Sequence, residues 1–412
     1  MSDLLDVLVA GGGPVGACVG ALLMRGSATN AKPLRVAILE PKPPLLLQPD
    51  APLDSRVVAI SRASERIIEA AGAPPPSQSP RSCAYEHMRI WHESAAPRSS
   101  DALVFDAAEV GEPNLGFILE NRFLQTGLLD AFAEAGGVIQ SAEILSLQVQ
   151  SDEVSVVTSA GPLRARLVVG ADGARSVVRD AVGLTADISD YRQTALVCTV
   201  ATELSHESTA WQRFMLDGTL AFLPLSDGHS SIVWSADNER AKALIAATPE
   251  DFAAQLDQAS DHALGKTRIA GDRISFPLQR LAAHHYTAQR VALIGDAAHV
   301  VHPLAGQGVN LGLLDAAVLA ESVLAGLRGR EDPGALRVLR HYERWRKSEV
   351  TLMGAAIDAF DRFLAHGRGP LAKFAQHGLG WVNRSAEVKR FFIRRALGLS
   401  GELPEVARRR AR

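Results

Sequence analysis

The most constraining feature of the chain is its opening. Leu4–Ala10 is a short, mostly apolar run, the pattern of a strand buried in a parallel sheet. Gly11-Gly12-Gly13-Pro14-Val15-Gly16 follows at once, and Ala17–Met24 continues with small and apolar residues that suit a helix packed closely on a sheet. A second apolar run, Leu34–Leu39, ends in Glu40. Gly11 permits the tight turn, Gly13 lets a pyrophosphate approach the backbone, and Gly16 lets helix and strand pack closely. Pro14 and Val15 open the helix, whose free N–H groups and positive dipole end suit phosphate. Glu40 can accept hydrogen bonds from ribose hydroxyls. It stands 24 residues after Gly16, and the polar stretch Ser27–Pro33 accounts for the extra length as a loop. Such a unit serves NAD or FAD, and the rest of the chain must decide between them.

Composition narrows the class. The 412 residues are 47% hydrophobic and 22% charged, which excludes a disordered chain and allows a large core. A formal charge of −3 provides no overall field for nucleic acid. Cys18, Cys83 and Cys198 are too few and too scattered for a disulfide framework or a zinc site, and Cys18 reads as a small core residue. No run of 18 apolar residues is visible, and no basic segment precedes an apolar one at the N-terminus. The expectation is a cytoplasmic protein without a membrane span.

Two further glycine motifs follow apolar runs. Leu163–Gly170 leads into Ala171-Asp172-Gly173-Ala174-Arg175-Ser176. Arg290–Ile294 leads into Gly295-Asp296-Ala297-Ala298-His299, then His302-Pro303-Leu304-Ala305-Gly306-Gln307-Gly308-Val309-Asn310 and a long helix to about Leu327. In order and spacing the three motifs resemble those of the flavoprotein aromatic hydroxylases, the single-component FAD-dependent monooxygenases. Leu53–Arg56 with Ala59–Ser61, Leu119–Arg122, Ala221–Leu225, Ile232–Trp234 and His302–Asp315 are similar to the branch that hydroxylates ubiquinone precursors. Two departures, Gly218-Thr219 where many relatives have Gly-Pro, and Leu314 before Asp315, leave the flavin motifs untouched.

The resemblance implies roles. Gly295 and Asp296 would meet the ribityl chain of FAD, and Asp172 and Gly173 its pyrophosphate region. Arg56 resembles an arginine near the phosphate–ribose segment, and Arg122 one that reaches the nucleotide from an early helix. Pro303, Gly306, Gln307, Gly308, Val309 and Asn310 would face the flavin ring, where a positive helix end stabilises the anionic reduced form. NAD(P)H would act as a transient reductant, since no second dinucleotide fingerprint is present. Oxygen would be activated as a flavin C4a-hydroperoxide and passed to the ring of a polyprenylated phenol. No general base is assigned: the chemistry sits on the flavin, and the protein positions it and excludes water. His299 and His302 lack a nearby third ligand, so no metal is assigned. Arg175 reads as a surface charge on a helix, the same reading stays open for Arg179, and His284 and His285 read as solvated loop residues.

The expected fold is α/β: a Rossmann-like FAD domain of the glutathione-reductase and p-hydroxybenzoate-hydroxylase type, interrupted by a mixed antiparallel sheet. The FAD domain would comprise 1–80, 105–185 and 275–350, and the substrate sheet 81–104 and 186–274. Phe214, Phe222, Leu223 and Pro224 are candidates for the substrate pocket, with plain sheet core as the alternative. Residues 351–412 form a C-terminal helical region whose last 30 residues carry +6, leaving −9 for the rest. Val388, Phe391, Phe392, Ala396 and Leu399 recur there at helical spacing, flanked by Lys389, Arg390, Arg394 and Arg395. That helix suits docking on its own domain or a dimer partner, or lying on the anionic inner face of a membrane. A place in a quinone-biosynthesis complex is also open.

Three rival functions stand beside this reading. The same chemistry could act on a soluble aromatic compound. A flavin halogenase is disfavoured because Trp91, Trp211, Trp234, Trp345 and Trp381 are never two apart. A non-catalytic flavin-binding assembly subunit of a quinone-pathway complex is disfavoured by the intact flavin motifs.

Overall fold

A computed structural model describes residues 4–28, 32–44, 51–302, 306–360, 383 and 385–409. Among the described residues, three sheets build the fold. The first has eight strands with a parallel centre, where Leu5–Ala10 lies between Val36–Leu39 and Gly161–Gly170. Val138–Gln140 extends one edge in parallel and Val291–Leu293 the other. Val7, Leu8 and Val9 are wholly buried, as an unbroken apolar run in a sheet covered on both faces requires. Helices Pro14–Ser27, Asn121–Glu134 and Gln307–Arg328 pack around this core. Gly20 of the first helix lets Ile38 and Phe132 come close: an added Cβ would lie 2.9 Å from Ile38 and 3.1 Å from Phe132.

Within Gln307–Arg328, the stretch Gly308–Arg328 is long and apolar enough to cross a bilayer, with a mean hydropathy of 1.5. That differs from the expectation that no segment would pass such a test. The helix is nonetheless a core element: 67% of its apolar window is buried against the rest of the chain.

The second sheet has nine strands and is mainly antiparallel. It runs from His299–Val300 through Ile274–Ala283, Ala186–Thr202, Ser230–Asp237, Gly218–Pro224, Thr209–Met215 and His87–His92 to Leu103–Asp106. Thr267–Ile269 pairs with Ala186–Thr202. Ile274–Ala283 lies in this sheet, so the sheet extends past residue 274, where alternation alone had placed its end. One face packs on helices Asn238–Ala246 and Pro249–Ala259 and forms a second core containing Leu220, Phe222, Trp234 and Phe252. A three-stranded sheet, Val57–Ile60 with Gly116–Glu120 and Cys83–Tyr85, completes the set.

The C-terminal helix Ala386–Ala396 is docked on its own chain. Ile393 and the following Leu397 are its buried contacts, against Ala107 and Leu115. The stripe read from the sequence passed over both, and its Phe391 is 61% exposed. Lys389 pairs with Glu109 and Arg395 with Glu349, at 2.5 and 2.6 Å.

Candidate active site

The glycine turn after the first strand is built as its sequence demands. Gly11 has φ +99°, and a Cβ there would lie 2.4 Å from the Ala171 carbonyl oxygen. A Cβ on Gly16 would meet the Gly11 carbonyl oxygen at 1.9 Å. Both are packing glycines, and neither lines the cavity described next. Glu40 Oε2 accepts a hydrogen bond from the Gly12 N–H at 2.8 Å, and Oε1 accepts one from Lys42 N–H. In this structure Glu40 therefore braces the turn.

A cavity of about 510 Å³ opens between the strand ends of the parallel sheet and the inner face of the nine-stranded sheet. Gly13, Pro14, Val15, Arg56, Gly173, Gly295, Asp296, Gly306, Gly308 and Val309 all line it, from four separated parts of the chain. An added Cβ on Gly13, Gly173 or Gly308 would meet no atom of the described residues within 4 Å. These three glycines therefore leave room for something that is not protein. The helices Pro14–Ser27 and Gln307–Arg328 begin here with no side-chain cap and no acid in the first turn. Elsewhere Ser61, Ser176, Asp237 and Thr248 cap their helices. Two uncapped positive helix ends aimed into one cavity suit phosphate and an anionic ring.

Charge in the cavity is arranged around Asp296. Its side chain lines this space, and desolvation raises its carboxyl above the ordinary range, opposed by His299 and Arg56. Asp315 lies behind it, fully buried. Asp315 Oδ2 accepts from Gly295 N–H at 3.0 Å and meets His299 Nε2 at 2.6 Å, while Oδ1 accepts from Arg346 Nε at 2.7 Å. Burial works against ionisation of Asp315, but the charges and hydrogen bonds of His299 and Arg346 prevail and hold its carboxyl below the usual range.

Asp172 Oδ2 accepts from Val178 N–H at 3.1 Å, whereas Oδ1 is buried without a hydrogen-bond partner among the described residues. An orphaned carboxylate oxygen beside an open glycine is a fit for a cofactor hydroxyl.

Residues 123–354 match the FAD binding domain family. A ubiquinone hydroxylase of Rhodospirillum rubrum is 36% identical over 98% of this chain and 92% of its own length. The 3-demethoxyubiquinol 3-hydroxylase of Escherichia coli is 32% identical over 96% of this chain and 98% of its own. The chain belongs to the FAD-dependent aromatic hydroxylases, in their ubiquinone-hydroxylase branch. Its fold is that of the p-nitrophenol 4-monooxygenase of Pseudomonas putida, with a TM-score of 0.75 at 20% identity over 96% of this chain and 99% of that one.

The hydroxylase departs from several sequence expectations. Along Gly218–Pro224 the side chains alternate, so Thr219, Ala221 and Leu223 line the cavity while Leu220 and Phe222 enter the second core. Of the four pocket candidates, only Leu223 faces the cavity. Phe222 and Pro224 lie on the opposite face of the strand, and Phe214 lines a second cavity. Asn310 does not line this cavity: its side chain holds Ser61 N–H and the Ala59 carbonyl, at 2.9 and 2.8 Å. Arg122 is half-buried at the start of its helix and outside the cavity lining. Pro303 lies outside the described residues, as does the side chain of Gln307.

Arg179 is not a surface charge. It is buried and donates to the Ala174 and Ala297 carbonyls, stitching the Asp172 turn to the Asp296 turn. Gln125 was also missed. It lines the cavity and donates to the Gly12 carbonyl at 3.0 Å, one helical turn after Asn121. The buried Glu120 and the half-buried Arg81 pair through two hydrogen bonds, at 2.6 and 2.8 Å. Glu120 also accepts from Asp54 N–H, which fixes the segment that presents Arg56. Nothing in the local pattern announces these long-range partners.

Proposed function

We propose that this hydroxylase inserts one oxygen atom into the ring of a prenylated phenol in ubiquinone biosynthesis, using FAD, NAD(P)H and O2. The observation that carries the reading is the single cavity in which open cofactor glycines face the inner surface of the nine-stranded sheet. The names and near-complete coverage of the Rhodospirillum rubrum and Escherichia coli relatives support the substrate class.

Bound FAD supplies reduction by NAD(P)H and activation of O2. Gly13, Gly173 and Gly308 would admit it, the two uncapped helix ends would face its anionic groups, and Asp296 and Asp172 would accept from its hydroxyls. Arg56 supplies positive charge at the same wall. The opposite wall is largely apolar, with Val197, Ala221, Leu223, Val233 and Phe276. That surface keeps bulk water from the reacting centre and leaves a flat apolar slot for an aromatic ring. Ser231 Oγ donates to the Ser55 carbonyl at 2.9 Å and so ties the sheet to the Arg56 segment. The division of labour follows the sheets: the parallel one carries the cofactor turns and the antiparallel one roofs the substrate. The exposed Phe391, with the exposed Arg390 and Arg394 beside it, supports work at a lipid surface from a helix that is also docked on its own chain.

The test is turnover of purified FAD-loaded protein with NAD(P)H, labelled O2 and a prenylated phenol. The expected product carries one labelled oxygen on the ring, with NAD(P)H oxidation stimulated by the phenol. Efficient coupled turnover of an unprenylated aromatic acid instead, or failure to bind FAD, overturns the reading.

A further inference from the structure

Behind the flavin cavity lies a second one of about 370 Å³. Ala59, Tyr85, Met88 and Gln212 line both, so the two chambers share a wall. The far side is formed by Ile90, Leu103 and Phe214 of the nine-stranded sheet and by Phe392, Ile393 and Ala396 of the C-terminal helix. Of the polar groups that reach this space, Tyr85 and Gln212 stand at the shared wall and the others are engaged within the protein. Asn310 holds Ala59 and Ser61, Ser61 Oγ pairs with Ser64 Oγ, and Arg395 is paired with Glu349. Away from that wall, what remains for recognition is apolar surface.

Packed interiors contain few voids larger than a water molecule, and an empty apolar void weakens a fold in proportion to its volume. A space of this size is in the range of ligand sites. Its rim is apolar as well: Leu352 and Phe391 both line it and are 60% and 61% exposed.

We propose that this cavity is a tail chamber. It takes the isoprenoid tail of a phenol whose ring lies in the flavin cavity, and helix Ala386–Ala396 is its outer wall. Tyr85, Met88 and Gln212 form the threshold between ring and tail, and Leu352 and Phe391 the outer lip through which the tail enters. The assignment rests on the prenylated-phenol reading above, which supplies the tail.

The test uses FAD-loaded full-length protein and two phenols of identical ring, one bare and one bearing a farnesyl tail with a diazirine on its last isoprene unit. Photolysis is expected to label peptides containing Ile90, Leu103 or residues 386–397. Ala396→Trp fills the chamber, and Phe391→Asp, at an exposed position that folding tolerates, makes its lip polar. Each is expected to raise KM for the tailed phenol on the order of tenfold while leaving the bare phenol's kcat/KM unchanged. Labelling elsewhere, or equal effects on both phenols, or none on either, overturns the tail chamber. Labelling of the chamber without hydroxylation of the tailed phenol upholds it as an isoprenoid site and sinks the substrate reading instead.

Discussion

Asp315 and His299 meet across 2.6 Å, with Asp315 wholly buried and His299 nearly so. The same carboxylate takes the Arg346 guanidinium and the Gly295 N–H, so one residue of the long helix fixes the turn that presents Asp296. Asp315→Asn keeps the shape but leaves Arg346 buried without its counter-charge. Breaking a buried pair from one side costs roughly 3–5 kcal/mol, and urea unfolding should show a loss of that order. The pH dependence carries a sign. A carboxyl depressed in the fold contributes stability that is full above its unfolded pKa, near 3.8, and is lost as pH falls through the lower folded value. Acid unfolding of the natural chain should therefore contain a component below about pH 4 that D315N lacks. Identical acid profiles would remove Asp315 as its source.

Asp296 has the opposite sign. Its carboxyl is raised by desolvation, so in the FAD-free fold it is a cost at neutral pH that eases as pH falls through the raised value. Asp296→Asn should stabilise the FAD-free protein at neutral pH, seen as a higher Tm. FAD affinity should fall by roughly 10- to 100-fold, the worth of a hydrogen bond to a charged group. Flavin-fluorescence titration reads the second effect, and unchanged affinity would place the cofactor elsewhere.

Two glycines three residues apart, alike in kind but not in role, make a sharper comparison. Gly13 and Gly16 belong to one turn, yet a Cβ on Gly13 meets nothing and a Cβ on Gly16 meets a backbone oxygen at 1.9 Å. Gly13 also has φ −62°, which any L residue adopts. Gly13→Ala should fold with an unaltered Tm in the FAD-free state and bind FAD weakly. Gly16→Ala should fail to fold or lose several kcal/mol, since backbone cannot yield. Equal Tm losses in both would mean that the room at Gly13 serves packing.

The parallel half of the fold was legible because its signals are local. An apolar run, a glycine turn and a small-residue helix occupy consecutive positions, and the structure places them as read. The antiparallel half was less so. Phe222 and Pro224 attracted attention as apolar residues near a family motif, but a strand of period two cannot show every residue to one side. The sequence around Gly218–Pro224 is apolar on both faces, so alternation gave no register, and the cavity took the smaller Thr219 and Ala221. Arg179, Gln125 and the Arg81–Glu120 pair escaped for another reason. Each has a partner 39 to 118 positions away, and only the folded topology brings the two together.

Ala221 and Phe222 put that register to the test, as neighbours on one strand with opposite surroundings. Ala221 lines the cavity, while Phe222 is 1% exposed in the second core. Ala221→Phe adds bulk where there is space, so the protein should fold and bind FAD while kcat/KM for the aromatic substrate falls at least about tenfold. Phe222→Ala leaves a hole in packed core and should cost roughly 3–5 kcal/mol in urea unfolding. Its surviving folded fraction should turn over with near-normal KM, because the side chain never touches the substrate space. If the two variants exchanged phenotypes, the strand would be shifted by one residue, and every lining residue assigned to it would move to the other face.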